Sequence, residues 1–495
     1  MRKAVWHMWL VAAILGSPAS ADGLERFQAL ELAADDLYPS LVERAVGGGD
    51  PAEMIADAQG LLDDVASDAQ PLPPAVSFGA GTVQLIDLRI ALVQLAISAG
   101  ANDQLSVVRA QSSEAPQVIA VQDGQRSLTD IRRWLATQPE ARGMMNGDVL
   151  RAPLVVLPGG ALVLERGDTL LLSRSDGAFL ANFGALFIDG ATVAGTPEIN
   201  PQVPMFAPFV TTAGTGMARV SDAKISALGF GETALFSGFS ISNRGLYAAI
   251  GPSFIRDSVL QDGGDLTLIG TTGAVVESNL FATTTQSDLA LRAAKQSHVS
   301  GNLFLSSGLR ITDRSDDTHV AGNVVMAATR AGITVDRASV NTVITGNFVW
   351  DSAKAGITVA DSDCAFVTRN IAIGNGQKGA IIRASRQSDV VENAFLGNRS
   401  TGLFVGDQVS GTDTVVAQNV FVGNRTGLAS SSADRLLLAG NDFSQQFPRF
   451  LGGDIVRQAD QIIGDLQGAQ EIEIAAGAVE SFRAEPVTCL WDGDN

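Results

Sequence analysis

An asparagine recurs at a nearly constant interval through the second half of the chain. It stands in short apolar segments such as ESNLF, SGNLF, AGNVV and TGNFV. Successive asparagines are 21 to 26 residues apart: Asn279, Asn302, Asn323, Asn347, Asn370, Asn393, Asn419 and Asn441. A period of this length with short apolar strands is typical of a solenoid. We interpret the asparagines as structural, because stacked amides can bond one another and the turn backbone.

Two further columns define the strands of each repeat. An apolar residue stands three positions before each asparagine, which places it in the core: Val276, Val299, Val320, Ile344, Val367, Val390, Val416 and Leu438. A second strand begins at a glycine in each repeat: Gly308, Gly332, Gly356, Gly379, Gly402 and Gly427. Alternation turns the second and fourth residues after each glycine outward, for example Arg310 and Thr312. The pattern predicts an all-β fold, a right-handed parallel β-helix solenoid.

The remaining segments suggest how the chain is divided. Residues 1–21, with Arg2, Lys3, an apolar run and Ala19-Ser20-Ala21, resemble a signal peptide for export to the periplasm. Amphipathic spacing predicts a short α-helical N-terminal extension over residues 22–72. We assign residues 73–150 to a lead-in and cap region, 151–450 to the parallel β-helix and 451–495 to a C-terminal cap or tail. No later apolar run is long enough to span a membrane.

Composition limits the partners of the chain. The formal net charge is -19, and loss of the leader with its two basic residues would make it about -21. Nucleic-acid binding is therefore not expected, since no surplus of basic residues exists to neutralise phosphates. The cysteines Cys364 and Cys489 match no metal-ligand spacing, so no metal or cofactor is expected. They are either a disulfide or two buried thiols.

Basic residues nevertheless gather beside the outward face of the second strand. They are Arg292, Lys295, Arg310, Arg314, Arg337 and Arg383, with Arg330, Lys354, Lys378 and Arg425 just before its glycines. Such a stripe on an acidic protein favours binding of a polyanion along an extended track. The alternative is that these residues are solvated strand ends that discourage aggregation.

The order of several segments resembles the periplasmic mannuronan C5-epimerases of alginate-producing bacteria. The resemblance covers roughly residues 115 to 450 and is carried by APQVIAVQDGQRSLTDIRRWL, LRAPLVVLPGGALVLERGDTLLLSRSDGAFLANFGALFIDGATVAG, FAPFV and ISALGFG, followed by the coils. It implies an acidic polysaccharide (polyuronate) as substrate, and periplasmic polysaccharide-biosynthesis proteins as possible partners. The family inverts C5 of β-D-mannuronate residues, giving α-L-guluronate.

That reaction needs a cation for the substrate carboxylate and a base for the C5 proton. The family places them around an Asp-Pro-His-Asp sequence after a Gly-Ile pair. On GLRITDRS these residues fall at Arg310, Ile311, Thr312 and Asp313, and the Arg-Ser that commonly follows matches Arg314 and Ser315. The family's groove arginine matches Arg337 in GITVDR. The arginine is thus retained, whereas the histidine is replaced by Thr312. An unactivated threonine hydroxyl is too weak a base to remove the C5 proton.

Two aromatic side chains remain as candidates for this site. His319, like His298, stands four residues before a ladder asparagine, on a different strand from Asp313. It is either a substitute base or a solvated surface histidine. Tyr247 follows a Gly-Leu pair about three coils before Asp313, or roughly 14 Å away. It either stacks on a sugar at another subsite or packs at an early coil.

The sequence therefore leaves three function classes open. The first is a polyuronate-binding protein without epimerase activity. It would hold its ligand with Arg292, Arg310, Arg314, Arg383 and Tyr247. The second is an active epimerase or lyase with rearranged catalytic residues, built on Asp313 and Arg337 with water or His319. The third, a purely structural solenoid, has less to support it.

Overall fold

The computed structural model describes residues 23–62, 70–100, 104–112, 116–230, 233–244, 248–282, 289–408, 413–432, 435–474 and 489. The expected leader, residues 1–21, lies outside these residues. The chain divides into two compact units, Gln70–Ser297 and Met1–Ala69 with His298–Asn495. Its helices are α1 Gly23–Gly47, α2 Pro51–Gln59, α3 Leu88–Ala99, α4 Gln104–Arg109, α5 Leu128–Thr137 and α6 Ala459–Gly464, with 3-10 turns at Pro139–Ala141 and Asp454–Gln458.

The Gln70–Ser297 unit is a stack of short strands in three sheets. Its strands are β1 Thr82–Asp87, β2 Gln117–Gln122, β3 Gly124–Ser127, β4 Met145–Asn146, β5 Val149–Leu150, β6 Leu154–Val156, β7 Gly160–Leu164, β8 Thr169–Leu172, β9 Leu180–Asn182, β10 Ala185–Asp189, β11 Thr192–Gly195, β12 Val210–Ala213, β13 Met217–Ser221, β14 Lys224–Ser226, β15 Phe239–Ser242, β16 Phe254–Arg256, β17 Val259–Gln261, β18 Leu266–Ile269, β19 Val275–Glu277, β20 Leu280–Ala282 and β21 Leu289–Arg292. Strands β1 and β2 pair antiparallel, and parallel pairing begins where β2 meets β6 and β3 meets β7. Buried Leu88, Leu92 and Leu95 of α3 share a core cluster with Phe179 and Phe209, whose rings stack.

The second unit has the same architecture from His298 onward. Its strands are β22 His298–Ser300, β23 Leu303–Leu305, β24 Leu309–Thr312, β25 His319–Ala321, β26 Val324–Met326, β27 Ile333–Val335, β28 Val343–Thr345, β29 Phe348–Trp350, β30 Ile357–Ala360, β31 Phe366–Thr368, β32 Ile371–Ile373, β33 Lys378–Arg383, β34 Ser388–Val391, β35 Ala394–Leu396, β36 Thr401–Gly406, β37 Thr414–Ala417, β38 Val420–Val422, β39 Thr426–Ser431, β40 Leu436–Ala439, β41 Asp442–Gln445, β42 Leu451–Gly453 and β43 Ile472–Ile474. We name its sheets face 1 (β24, β27, β30, β33, β36, β39, β42), face 2 (β22, β25, β28, β31, β34, β37, β40, β43) and face 3 (β23, β26, β29, β32, β35, β38, β41). Neighbouring strands are parallel except β40 and β43. The predicted parallel β-helix with N-terminal helices is confirmed.

The apolar and asparagine columns have the predicted roles. All eight apolar residues of the column that includes Val320 are at most 2% exposed. Nδ2 of Asn323 donates to Oδ1 of Asn347 at 2.9 Å, and Nδ2 of Asn347 donates to Oδ1 of Asn370 at the same distance. Each amide also donates to a backbone carbonyl one coil back, as Asn323 does to Val299. The ladder therefore satisfies buried backbone groups at a turn where water cannot reach them.

The structure contains two further hydrogen-bond ladders that were not predicted from the sequence. Asn375, Asn398 and Asn424 form a second run of amides that ends on Gln446. In a third, each backbone amide bonds the serine hydroxyl of the next coil; its members are Ser315, Ser339, Ser362 and Ser385. The signal for the second ladder is present in IGNG, LGNR and VGNR, whose asparagines stand five residues after those of the first ladder.

The glycines that open the face 1 strands are required by the close approach of successive coils. A Cβ at Gly356 would lie 2.7 Å from the carbonyl oxygen of Gly379, and one at Gly379 would lie 2.5 Å from that of Gly402. Real Cβ atoms do not approach backbone oxygens this closely. The glycine column thus marks a line along which successive coils leave no room for a side chain.

The N-terminal helices pack against the second unit's strands. The rings of Tyr38 in α1 and Trp350 in β29 are 5.4 Å apart, and the Tyr38 hydroxyl lies 2.7 Å from Oγ of Ser306. Phe27 lies over Gly397, where it occupies the space that a Cβ would take. Trp350 is consequently only 7% exposed. The helices cover an apolar strip of face 3.

The two cysteines form a disulfide. Their Cα atoms are 5.4 Å apart, and Cys364 is fully buried. Of the two alternatives left by the sequence, the bonded pair is therefore the one observed. In the described part of the chain no helix is long and apolar enough to cross a bilayer.

Candidate functional site

The outward residues of face 1 form one continuous row. Strand register places Arg310 beside Thr334, Thr334 beside Thr358, Thr358 beside Ile381 and Ile381 beside Phe404. All five side chains are partly exposed, while the residues on either side of each are buried. Alternation along these strands is as the sequence predicts. The row therefore presents a guanidinium, two hydroxyls and two apolar side chains in succession.

Thr312 departs from this alternation, and its predicted outward position is wrong. It is only 2% exposed, and within the described chain its Oγ1 has no hydrogen-bond partner. The reason is that β24 ends here: Asp313 and Arg314 follow with positive φ of 59° and 67°, so the chain turns out of the strand. The position that resembles the family's histidine is thus at a buried corner. A threonine there cannot reach a proton of a bound sugar.

Asp313 and Arg337 are brought together by adjacent coils. Nη1 of Arg337 lies 3.2 Å from Oδ1 of Asp313, and the two side chains are 61% and 36% exposed. Both residues have a positive φ and occupy equivalent turns, one after β24 and the other after β27. An exposed pair of this kind is held weakly, by about 0–1 kcal/mol. Its arginine remains available to an incoming carboxylate.

The other two arginines of face 1 also have acidic neighbours. Arg310 lies 3.4 Å from Asp336 on the next coil, and Arg383 lies 3.5 Å from Asp407. Neither ion pair was predicted from the sequence, because strand alternation does not say which coil's acid will meet a given arginine. Three arginines with three aspartates carry no net charge. The expected basic groove is therefore balanced at these positions rather than strongly positive.

Unpaired cations flank this balanced set. Arg314 is exposed, makes no ion pair in the described chain, and donates only its backbone N–H to the carbonyl of Arg337 at 3.1 Å. Lys354 is exposed just before β30, and Lys378 begins β33. The positive surplus of face 1 consequently comes from these residues. The paired arginines add donors but no net charge.

Two predicted ligands, Arg292 and Tyr247, are not among the described residues of the second unit. Arg292 ends β21 in the Gln70–Ser297 unit, partly buried, with no hydrogen-bond partner for its Nε in the described chain. Tyr247 lies outside the described residues. Their roles as ligands stay predictions from the sequence.

His319 lies on a different sheet from Asp313 and Arg337. It is on β25 of face 2, in register with His298 on β22, and the two rings are 5.9 Å apart and perpendicular. Asp313 and Arg337 follow strands of face 1. The structure thus separates His319 from the pair as the sequence anticipated. Among the described residues, no three His, Cys, Asp or Glu side chains converge as metal ligands would.

Lys378 and Phe404 form a cation–π contact that was not predicted from the sequence. Nζ of Lys378 lies over the Phe404 ring, 4.9 Å from its centroid. The ring lies across Gly406, since a Cβ there would be 2.6 Å from Cε1 of Phe404. The GLFVG pattern already placed Phe404 outward by alternation.

Comparisons with known proteins identify the architecture. The family described as periplasmic copper-binding protein (NosD) matches residues 248–447, less than half of the chain. The solved structure of the periplasmic alginate epimerase AlgG is 19% identical and superposes over 78% of this chain and 98% of its own, with a TM-score of 0.60. The A-module of the Azotobacter vinelandii mannuronan C-5 epimerase AlgE4 is 14% identical over 61% of this chain and 87% of its own, with a TM-score of 0.40. No curated protein sequence matches significantly. The chain is a β-helix protein of the NosD and AlgG fold type.

Proposed function

We propose that this protein is exported to the periplasm and binds an acidic polysaccharide of the polyuronate class along face 1, without epimerising it. The observation that carries the proposal is the row formed by Arg310, Thr334 and Thr358, with Arg337 at the adjoining turn. Guanidinium groups and hydroxyls repeat along it at the coil spacing of about 4.8 Å. An extended polymer with a carboxylate and hydroxyls on each sugar is complementary to such a row.

The ion pairs of face 1 are consistent with an anionic ligand. Each of Arg310, Arg337 and Arg383 has its aspartate at 3.2 to 3.5 Å, close to the outer limit of a hydrogen bond. Exposed pairs of this length cost little to open. A polymer carboxylate can therefore replace an aspartate at each arginine, and the released aspartates limit the affinity by repulsion. Binding should accordingly be moderate and salt-dependent.

Loss of the epimerase reaction is supported by the buried corner at Thr312. Proton abstraction requires a base within about 3 Å of the C5 hydrogen, directly or through one water. Thr312 is 2% exposed and is not basic. Arg310, where the resemblance implies a carboxylate, contributes a cation. These positions support the proposal that carboxylate binding is retained and that proton transfer is lost.

An active epimerase or lyase with rearranged residues is the second candidate. The contact between Arg337 and Asp313 favours it, because it keeps a carboxylate next to the cation that would hold the uronate. In that case Asp313 or a bound water would remove the C5 proton. His319 would have to act from face 2. The two candidates differ in whether C5 exchanges its hydrogen with solvent.

Periplasmic residence is supported by three independent features. The first 21 residues have the charge and apolar pattern of a leader. Cys364 and Cys489 are bonded, as an oxidising compartment allows. The NosD family and AlgG are both described as periplasmic. We accordingly propose periplasmic polysaccharide-biosynthesis proteins as the partners to test. We do not propose nucleic acid as a ligand.

Affinity electrophoresis in gels that contain polymannuronate tests the binding proposal. Replacing Arg310, Arg337 and Arg383 by Ala should abolish most of the retardation, and added salt should weaken that of the unmodified protein. A matched control replaces three arginines that are also exposed and ion-paired but lie at other turns: Arg369, Arg399 and Arg435. Both variants lose three positive charges. Equal retardation of the two would contradict a site on face 1, and a neutral mannan should retard neither.

A further inference from the structure

Phe404 is the aromatic member of the outer row of face 1, whose other members are Arg310, Thr334, Thr358 and Ile381. It stands beside Ile381 in register and three coils beyond Thr334, or about 14 Å along the stack. Its flanking residues Leu403 and Val405 are fully buried, whereas Phe404 is partly exposed. The core therefore does not account for an aromatic residue at this position.

Gly406 fixes how the Phe404 ring lies. A Cβ at Gly406 would be 2.6 Å from Cε1 and 2.8 Å from Cζ of Phe404, so the ring occupies the place of the missing side chain. Gly406 lies opposite Arg383 in register. The ring thus extends along the strand toward the turn where Arg383 and Asp407 stand, and it forms an apolar platform there.

Two cations border the platform. Nζ of Lys378 is 4.9 Å from the ring centroid and pairs with no carboxylate in the described chain. Arg383, on the coil before Gly406, is more than half exposed and only 3.5 Å from an equally exposed Asp407. A cation over a ring contributes modestly at an exposed site and remains free to bind an anion. The cluster therefore combines an apolar surface with two positive charges.

A uronate residue has the complementary chemistry. One side of its ring carries C–H bonds, whose partial positive charge is attracted to the negative face of an aromatic ring. Its carboxylate is the partner that guanidinium and ammonium groups prefer. A neutral sugar can pack only on the Phe404 ring, and a small carboxylate can pair only with the two cations. The combination selects a sugar that bears a carboxylate.

We propose that Phe404, Lys378 and Arg383 form a subsite that holds one uronate residue of the bound polymer, with its C–H side on the Phe404 ring and its carboxylate between the two cations. This subsite rests on the proposed binding function and extends it along face 1. It lies about 14 Å from the coil of Arg337, so one polymer chain would engage both places. Affinity should consequently increase with oligomer length until both are spanned.

Titration of the purified protein with defined oligomannuronates by calorimetry tests the subsite. Phe404→Ala should weaken binding of long oligomers by about fivefold, from the lost contact area. Gly406→Ala keeps the phenylalanine but displaces its ring, so it should weaken binding in the same direction. Phe404→Trp should preserve the affinity. Its added tryptophan fluorescence should change on saturation. Phe366→Ala is the matched control, because Phe366 is a partly buried aromatic residue on face 2.

The outcomes separate the subsite from the binding function. If Phe404→Ala binds as the unmodified protein does, while replacement of Arg310 and Arg337 weakens binding, the subsite is refuted and binding along face 1 stands. If the unmodified protein binds no oligomannuronate, both proposals fail. Equal losses in Phe404→Ala and Phe366→Ala would also refute the subsite. Circular dichroism melting of each variant ensures that only folded proteins are compared.

Discussion

Arg337 contacts Asp313 across one coil, with 3.2 Å between Nη1 and Oδ1, and both groups are open to solvent. The carboxylate therefore occupies the place on Arg337 that a polymer carboxylate would take. Competition of this kind gives Asp313 a role opposite to that of a catalytic group. Its removal should help a binding protein and harm an enzyme.

Asp313→Asn should therefore tighten binding of polymannuronate. The substitution removes one negative charge and frees the Arg337 guanidinium, so retardation in affinity gels should increase a few-fold at low salt. Glu392→Gln, which frees the exposed Arg369 on another face, should leave retardation unchanged. Weaker binding by Asp313→Asn would show that the aspartate itself contacts the ligand.

The apolar column that faces the core predicts a sharp contrast between two substitutions. Val320 is fully buried, so Val320→Asp would place an unpaired charge in the core and cost several kcal/mol. Arg425 is exposed, and Arg425→Ala should change stability by about 0.5 kcal/mol or less. Chemical denaturation measures both. Similar unfolding midpoints for the two variants would mean that the strand register is misassigned.

The disulfide should contribute substantially to stability. It joins residues 125 positions apart, and closing a loop of that order in the unfolded chain is worth about 5 kcal/mol in the chain-entropy model. Reduction, or replacement of Cys364 and Cys489 by Ala, should lower the melting temperature by similar amounts. The unreduced protein should show no titratable thiol after unfolding. Two reactive thiols would contradict the bond.

Asp389 should make stability depend on pH. Burial raises the pKa of its carboxyl from 3.8 to about 6, and its register neighbours on face 2 are Phe366 and Val415. The folded state then binds a proton more tightly than the unfolded state, so stability should rise as pH falls from about 7 to about 4. Asp389→Asn should raise the melting temperature at pH 7.5 and have little effect near pH 4. Exposed Asp361→Asn, the control, should shift neither, and a pH-independent effect of Asp389→Asn would disprove the assignment.

Features that recur at the same position of every repeat could be predicted from the sequence. Val320 lies in the core and Asn347 in an amide ladder because each repeat imposes the same environment on the same position. Arg310 faces outward for the same reason. The two N-terminal helices were likewise predicted from their apolar spacing, because amphipathic periodicity is a local signal, although the first has 25 residues and is not short.

Features that depend on local geometry or on distant contacts were not predictable. Thr312 is buried because its strand ends at a left-handed turn, which alternation cannot anticipate. The pairing of Arg310 with Asp336 depends on which coil's acid comes within reach. The bond between Cys364 and Cys489 closes over 125 positions with no spacing rule to indicate it. The orientation of the Phe404 ring over Gly406, two residues further along the same strand, depends on the side-chain rotamer, which alternation does not specify.

Exchange of hydrogen at C5 distinguishes a polyuronate-binding protein from an epimerase or lyase most directly. Epimerisation and lysis both begin by breaking that bond, so incubation of polymannuronate with the protein in heavy water would leave deuterium at C5 or an unsaturated product that absorbs in the ultraviolet. With Thr312 buried and Arg310 in place of a carboxylate, we predict neither signal beyond a trace, since loss of a general base costs about 10² to 10⁴ in rate. Efficient exchange by the unmodified protein, lost on Asp313→Asn or His319→Ala, would contradict the account and identify an active enzyme.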